Sequence, residues 1–173
     1  MQKMFKNSTK SNLSFIFIIS IIVAVLDQVS KYLVNKNMKL EETIPVIKNF
    51  FHITYVQNKG VVFGLFYGQT SVFSIVTFAG LAIVIGLVFY IIKNLDKLTF
   101  IQKLSYGLIL GGAIGNSIDR VIYGYVIDFI DFRGLWYYIF NIADTFINIG
   151  IGLLLLESFF TKKDTQHDSR GNN

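Results

Sequence analysis

LSFIFIISIIVAVL (residues 13–26) is a run of fourteen residues broken only by Ser14 and Ser20. It continues through Asp27-Gln28-Val29-Ser30-Lys31 into Tyr32-Leu33-Val34. The whole stretch is about 22 residues, and a hydrocarbon layer of ~30 Å crossed at 1.5 Å per residue needs about 20. Three further stretches of similar length lie at 71–92, 104–122 and 140–160. We therefore expect four membrane spans, at about 13–34, 71–92, 104–122 and 140–160. They form one integral membrane domain over residues 1–173, with no internal repeat and no low-complexity segment.

Composition supports this and narrows the chemistry. Hydrophobic residues make up 53% of the 173, charged residues only 16%, and the mean hydropathy is +0.53. An ordinary soluble domain carries about 25% charged residues. With no cysteine, a disulfide framework, a thiolate nucleophile and a cysteine-based metal centre are excluded. Two histidines, His52 and His167, leave little for a metal site or a Ser-His-Asp relay. No cofactor and no metal are expected.

Lys3, Lys6 and Lys10 ahead of the apolar run imitate a secretory signal, but no small-x-small cleavage site follows, so the run is read as a retained first span. Lysine and arginine placement sets the orientation. One side receives Lys3, Lys6, Lys10, Lys93, Lys97, Lys103, Lys162, Lys163 and Arg170; the other receives Lys36, Lys39, Lys48, Lys59, Arg120 and Arg133. Both termini are thus expected on the cytoplasmic side, with the 35–70 connection and the 120–139 loop outside. The net charge of +5 follows from inward-facing lysines and calls for no nucleic acid. In the outer connection, NFFHITYVQ (residues 49–57) has strand composition and Asn58-Lys59-Gly60 has turn chemistry. A hairpin over 49–66 is expected there. Tyr123, Tyr125, Trp136, Tyr137 and Tyr138 read as an interfacial aromatic belt in preference to substrate contacts.

A carboxylate at membrane depth is costly, which makes it a functional candidate. Glu41, Glu42, Asp96, Asp164 and Asp168 fall in loops or tails. That leaves Asp27, Asp119, Asp128, Asp131, Asp144 and Glu157. Glu157 is read as structural, reaching the headgroups or Lys162 and Lys163. Asp27 and Lys31 stand at i and i+4, the spacing of an ion pair on one helix face. A Ser30–Lys31 nucleophile pair is disfavoured because adjacent helical residues diverge by about 100°. Gly111 and Gly115 form a face that admits another helix closely, and Gly112, Asn116 and Arg120 form a stripe with Asp119 beside it. Asp128 and Asp144 bracket the outer loop, and Asn141, Asp144 and Asn148 share a helix face. Two carboxylates close together share a proton, and such a pair can activate water and protonate a carbonyl oxygen without a metal, thiol or histidine. Peptide hydrolysis, an ion or proton pathway and a purely structural role all remain open on this pattern.

Five segments in order resemble the boxes of the bacterial lipoprotein signal peptidases (signal peptidase II). They are Asp27-Gln28-x-x-Lys31, then Asn58-x-Gly60 with Phe63-Gly64, then Gly111-Gly112-Ala113-Ile114-Gly115-Asn116-x-Ile118-Asp119-Arg120, then Val126-Ile127-Asp128-Phe129, and finally Phe140-Asn141-Ile142-Ala143-Asp144. The resemblance covers essentially the whole chain. It implies an aspartic endopeptidase with Asp128 and Asp144 as the catalytic dyad. Asn58, Gly60, Asn116, Arg120 and Asn141 would position substrate or dyad, and Asp27, Lys31 and Asp119 would support the site. The implied substrate is a prolipoprotein cut just before a diacylglyceryl-modified cysteine, and family members are blocked by globomycin. The implied architecture is an all-α membrane bundle of four transmembrane helices, with an outer amphipathic segment and a small extracytoplasmic β-cradle to which the 49–66 hairpin would correspond. The expected partners are that substrate and membrane lipid, the protein acting as a monomer in the bacterial cytoplasmic membrane with its active site near the outer face. Two departures stand out: Val61-Val62 where the family usually has two alanines, and a short stretch, Asp131-Phe132-Arg133-Gly134, between the two aspartates. Both bear on substrate preference.

Overall fold

A computed structural model describes residues 2–59, 70–134 and 137–168 of the chain. The described residues include four long helices: α1 (Gln2–Asn37), α2 (Thr70–Asn94), α3 (Phe100–Tyr123) and α4 (Ile142–Asp168). Three strands accompany them, β1 (Thr43–Ile47), β2 (Phe51–Asn58) and β3 (Val126–Phe132), and a short 3₁₀ turn, Leu95–Lys97, ends α2.

Among the described residues, three segments are long and apolar enough to cross a membrane: Asn12–Asn37, Ser74–Lys97 and Ile142–Phe160. The expected third span, 104–122, is a helix but falls short on hydropathy. Its position accounts for this, because α3 packs against α1, α2 and α4 and so is shielded from the surroundings by the other three. It can therefore bury Ser105, Asn116 and Asp119 where a lipid-facing helix could not. A capping box starts the helix: Thr99 accepts from the Gln102 backbone and Gln102 returns a bond to the Thr99 backbone.

Small residues set how closely these helices approach. A Cβ at Gly111 would lie 2.6 Å from the Ser20 carbonyl oxygen of α1, and one at Gly112 would lie 2.5 Å from the Ala143 carbonyl oxygen of α4. The Gly111 face thus receives α1 and the Gly112 stripe receives the first turn of α4. At one end of the bundle Ile16, Ile91, Leu95, Leu98 and Leu110 form a buried cluster. At the other, Val34, Tyr55, Ile127 and Phe129 form a second, joined by Met38 and Ile142, which seats the sheet on the ends of α1 and α4.

The sheet is antiparallel in the order β1-β2-β3. The expected strand at 49–57 is therefore real, but its hairpin partner is β1, with Thr43 opposite Thr54 and the turn at residues 48–50, where Asn49 has φ +61°. The other predicted arm, 61–66, with Gly60, Val61-Val62 and Phe63-Gly64, lies outside the described residues. The expected outer loop at 120–139 contains β3, paired to β2 with Phe51 opposite Phe132, Val56 opposite Asp128 and Asn58 opposite Val126. In this way the sheet carries Asn58 and Asp128 on neighbouring strands.

Candidate active site

Asp128 lies within β3 and is 2% exposed. Its Oδ2 accepts from Asn58 Nδ2 at 2.9 Å and its Oδ1 from Asn141 Nδ2 at 2.7 Å. Asp144 stands in the first turn of α4 and is half-buried. Its Oδ1 accepts from Asn116 Nδ2 at 2.7 Å and its Oδ2 from the Asn141 backbone N–H at 3.3 Å, while the Asp144 backbone N–H donates to Asn141 Oδ1 at 2.9 Å. This reciprocal bonding has the form of a capping box and fixes the start of α4. Asn141, fully buried, therefore touches both carboxylates, one through its side chain and one through its backbone. Burial, and then the negative charge of Asp144, push the Asp128 carboxyl from its ordinary 3.8 up to about 7, against the hydrogen bonds from Asn58 and Asn141 and the charge of Lys31. At neutral pH such a group carries a substantial fraction of its proton.

Beside this pair lies a second one of different character. Asp27, Lys31 and Asp119 are all essentially without solvent exposure. Lys31 Nζ meets Asp27 Oδ2 at 2.8 Å and Asp119 Oδ2 at 3.0 Å, and donates to Asn116 Oδ1 at 3.0 Å. Three acceptors thus match the three donors of the ammonium. Because Lys31 and Asn141 both occupy the carbonyl end of Asn116, its amide end faces Asp144. Each of these two carboxylates also holds a backbone N–H directly before Asp144 or Asp128. Asp27 Oδ1 accepts from Ala143 N–H at 2.9 Å, and Asp119 Oδ2 accepts from Ile127 N–H at 3.0 Å. Gly115 makes room for this, since a Cβ there would run into the Asp27 carboxylate.

The structure thus brings together Asp27, Lys31, Asn58, Asn116, Asp119, Asp128, Asn141 and Asp144; Gly60 lies outside the described residues. Arg120 is on the same helix face as Asn116, and the acids whose charge it feels are, in order, Asp144, Asp128 and Asp119. Its Nε is buried without a hydrogen-bond partner among the described residues. Asp119, read beside Asn116 and Arg120, instead turns to Lys31. Gln28 was given no role by its spacing, yet its Nε2 donates to Asp119 Oδ1 at 2.8 Å and to the Gly115 carbonyl at 3.1 Å, joining α1 to α3. Its place beside Asp27 in the first box is the signal that could have found it.

The remaining candidates serve the fold. Ser30 Oγ donates to the Asp27 carbonyl and is not paired with Lys31. Asp131 accepts from Thr54 Oγ1 at 2.7 Å and from Arg133 Nε at 3.1 Å, tying strands together. Glu157 accepts from Thr99 Oγ1 at the start of α3. Its expected partners, the Lys162 and Lys163 side chains, lie outside the described residues. Among the described residues there is no cluster of three metal-ligating side chains.

Residues 19–160 match the family described as "Signal peptidase (SPase) II". The chain belongs to the signal peptidase II family. Several curated members, each named lipoprotein signal peptidase, share its sequence over most of their length. One from Fusobacterium nucleatum subsp. nucleatum is 48% identical over 145 residues, covering 83% of this chain and 86% of that protein. One from Halothermothrix orenii is 44% identical over 141 residues, covering 82% and 92%. One from Clostridioides difficile is 45% identical over 150 residues, covering 86% and 97%. A solved structure described as a bacterial membrane enzyme, determined in meso at 2.3 Å, superposes with a TM-score of 0.74 at 34% identity, over 86% of this chain and 90% of that one. A second, at 1.9 Å, gives 0.68 at 36% identity, over 82% and 90%. Signal peptidase II is a protease family, so this chain is a membrane protease.

Proposed function

We propose that this signal peptidase II is an aspartic endopeptidase. It removes the signal peptide from diacylglyceryl-modified prolipoproteins just before the lipidated cysteine, with Asp128, Asp144 and water as the reacting groups. The observation that carries this is the bridging of Asp128 and Asp144 by Asn141, with the Asp128 carboxyl raised to about 7. Two carboxylates so placed hold one proton between them.

The environments divide the labour. Asp144 stands in the first turn of α4, accepts from two N–H groups and is the more exposed of the two. Ionised Asp144 takes a proton from water, whose oxygen attacks the scissile carbonyl carbon. Buried Asp128 gives its proton to the carbonyl oxygen, forming a neutral gem-diol. Collapse breaks the C–N bond. The amine nitrogen leaves with the proton Asp144 had taken, and the hydroxyl proton of the gem-diol returns to Asp128. Asn58, Asn116 and Asn141 hold the carboxylates, Arg120 and Gly60 engage substrate, and Asp27, Lys31 and Asp119 fix the backbone under the dyad.

Four helices cross the cytoplasmic membrane, α3 included, with both termini cytoplasmic and the dyad near the outer face. Support comes from the lysine distribution and from the sheet, which joins the end of α1 and the start of α4. The test is incubation of the purified chain with a lipidated prolipoprotein. Cleavage before the modified cysteine, blocked by globomycin and absent with unlipidated substrate, is expected. An uncut lipidated substrate, or cleavage indifferent to lipidation, overturns the proposal.

A further inference from the structure

Strand β1 and its flanks are built unlike the rest of the sheet. Leu40, Ile44, Val46, Ile47 and Phe50 are each between 39% and 54% exposed, and Pro45 between them is exposed as well. Among the described residues β1 pairs only with β2, which leaves its far edge open there. An ordered, apolar edge strand of this kind in water would invite association with other chains.

What covers it follows from where it stands. α1 ends at Asn37 and β1 begins six residues later. The last turns of α1 expose Val29, Tyr32 and Leu33, an apolar surface continuous along the chain with the lipid-facing run below it. Lys36 Nζ sits 5.5 Å from the centre of the Tyr32 ring, and a tyrosine with a lysine at the end of a span marks the membrane–water boundary. Val34 and Met38 anchor the sheet to that same helix end through Tyr55, Ile127 and Phe129. Exposed Lys39 and Lys48 flank the apolar group, while Glu42 accepts from the Lys39 backbone N–H and so turns back on its own turn. Two lysines beside apolar side chains match lipid phosphates above an acyl boundary.

We infer that Leu40, Ile44, Val46, Ile47 and Phe50 dock into the phospholipid headgroup–acyl boundary next to the end of α1. The open edge limits the depth: unpaired backbone N–H and C=O groups are not tolerated in hydrocarbon but can bond to water and headgroups at the boundary. Docking fixes the height of the sheet relative to the bilayer. Because β2 ends at Asn58 and β3 carries Asp128, it also fixes the height of the dyad. This last consequence rests on the hydrolytic function proposed above.

The chain has no cysteine, so single cysteines can be introduced for nitroxide labelling. Labels at Ile44→Cys, Val46→Cys and Ile47→Cys, in nanodiscs of phosphatidylcholine and phosphatidylglycerol, are compared with Ile22→Cys in mid-span and with lipids labelled at known depths. The expected result is preferential collision with oxygen over a nickel chelate, at the depth of the glycerol and first acyl carbons. Nickel access equal to that of a water-exposed label overturns the inference. So does protection from both reagents, which would mean cover by protein, either a second copy or residues 60–69. Ile44→Asp with Val46→Asp is expected to slow cleavage in vesicles by about tenfold, as a small misplacement of reacting groups does, and to leave the rate in detergent unchanged. A parent chain that cuts nothing in either medium would count against the hydrolytic function while leaving the depth measurement standing.

Discussion

Two pairs of carboxylates lie side by side in this molecule, and their surroundings make them different things. Asp27 and Asp119 share the buried ammonium of Lys31, and each also holds a backbone N–H, Asp27 through its other oxygen and Asp119 through the same one. Asp128 and Asp144 are bonded by neutral amides, and no ion pair among the described residues involves either. A cation held between two acids offsets their charge and ties both to the fold. Among the described residues no cation bonds to Asp128 or Asp144 in this way, and burial with the charge of Asp144 raises the Asp128 carboxyl, which suits the pair to holding a proton that can be moved.

The comparison breaks most severely if the cation is removed. Lys31→Met would leave two buried carboxylates unpaired and is expected to destabilise the protein by about 3–5 kcal/mol, measured as loss of thermal stability in detergent. Adding Asp27→Asn and Asp119→Asn should restore much of that stability, because a buried ionic group replaced as a whole costs little. Next comes Gly115→Ala, which pushes a methyl group against the Asp27 carboxylate. A loss of about 1–3 kcal/mol is expected, as for overpacking elsewhere, seen in the same melts.

The four long helices and the Asp27–Lys31 ion pair were legible in the chain because each is carried by local spacing, whereas spacing alone left the role of Asp128 and Asp144 open. Strand β1 was not legible, since the pairing of Thr43 with Thr54 and the turn at Asn49 are set by tertiary contact. β3 was hidden because Asp128 and Asp131 interrupt an otherwise apolar run, which then alternates with neither face. The turn of Asp119 toward Lys31 was equally invisible. It depends on α1 and α3 closing to contact at Gly111 and Gly115, a distance no periodicity contains.

Smaller effects sharpen the other pair. The folded chain keeps a proton on Asp128 between pH 3.8 and about 7 that the unfolded chain has lost. The group's contribution to stability is therefore full below 3.8 and is lost as pH rises through about 7. Asp128→Asn, which cannot titrate, should gain thermal stability relative to the parent between pH 5 and pH 8 by several degrees. In the proposed mechanism that proton goes to the scissile carbonyl, so kcat/KM is expected to fall about tenfold per pH unit on the alkaline side of that pKa. The smallest change is expected from Asn58→Ala. Loss of its amide bond to Asp128 Oδ2 removes a group that favours the ionised form, so the alkaline limb should move upward by less than about one unit. A downward shift in the pH–rate profile would contradict the placing of that proton.

The division between the two pairs of carboxylates is tested most directly by cleavage. A lipidated prolipoprotein is incubated with the parent chain, Asp128→Asn and Asp144→Asn at equal amounts of folded, inserted protein. Cleavage by the parent and none by either variant is expected, with both retaining parental helicity. Retained cleavage by either would contradict that division.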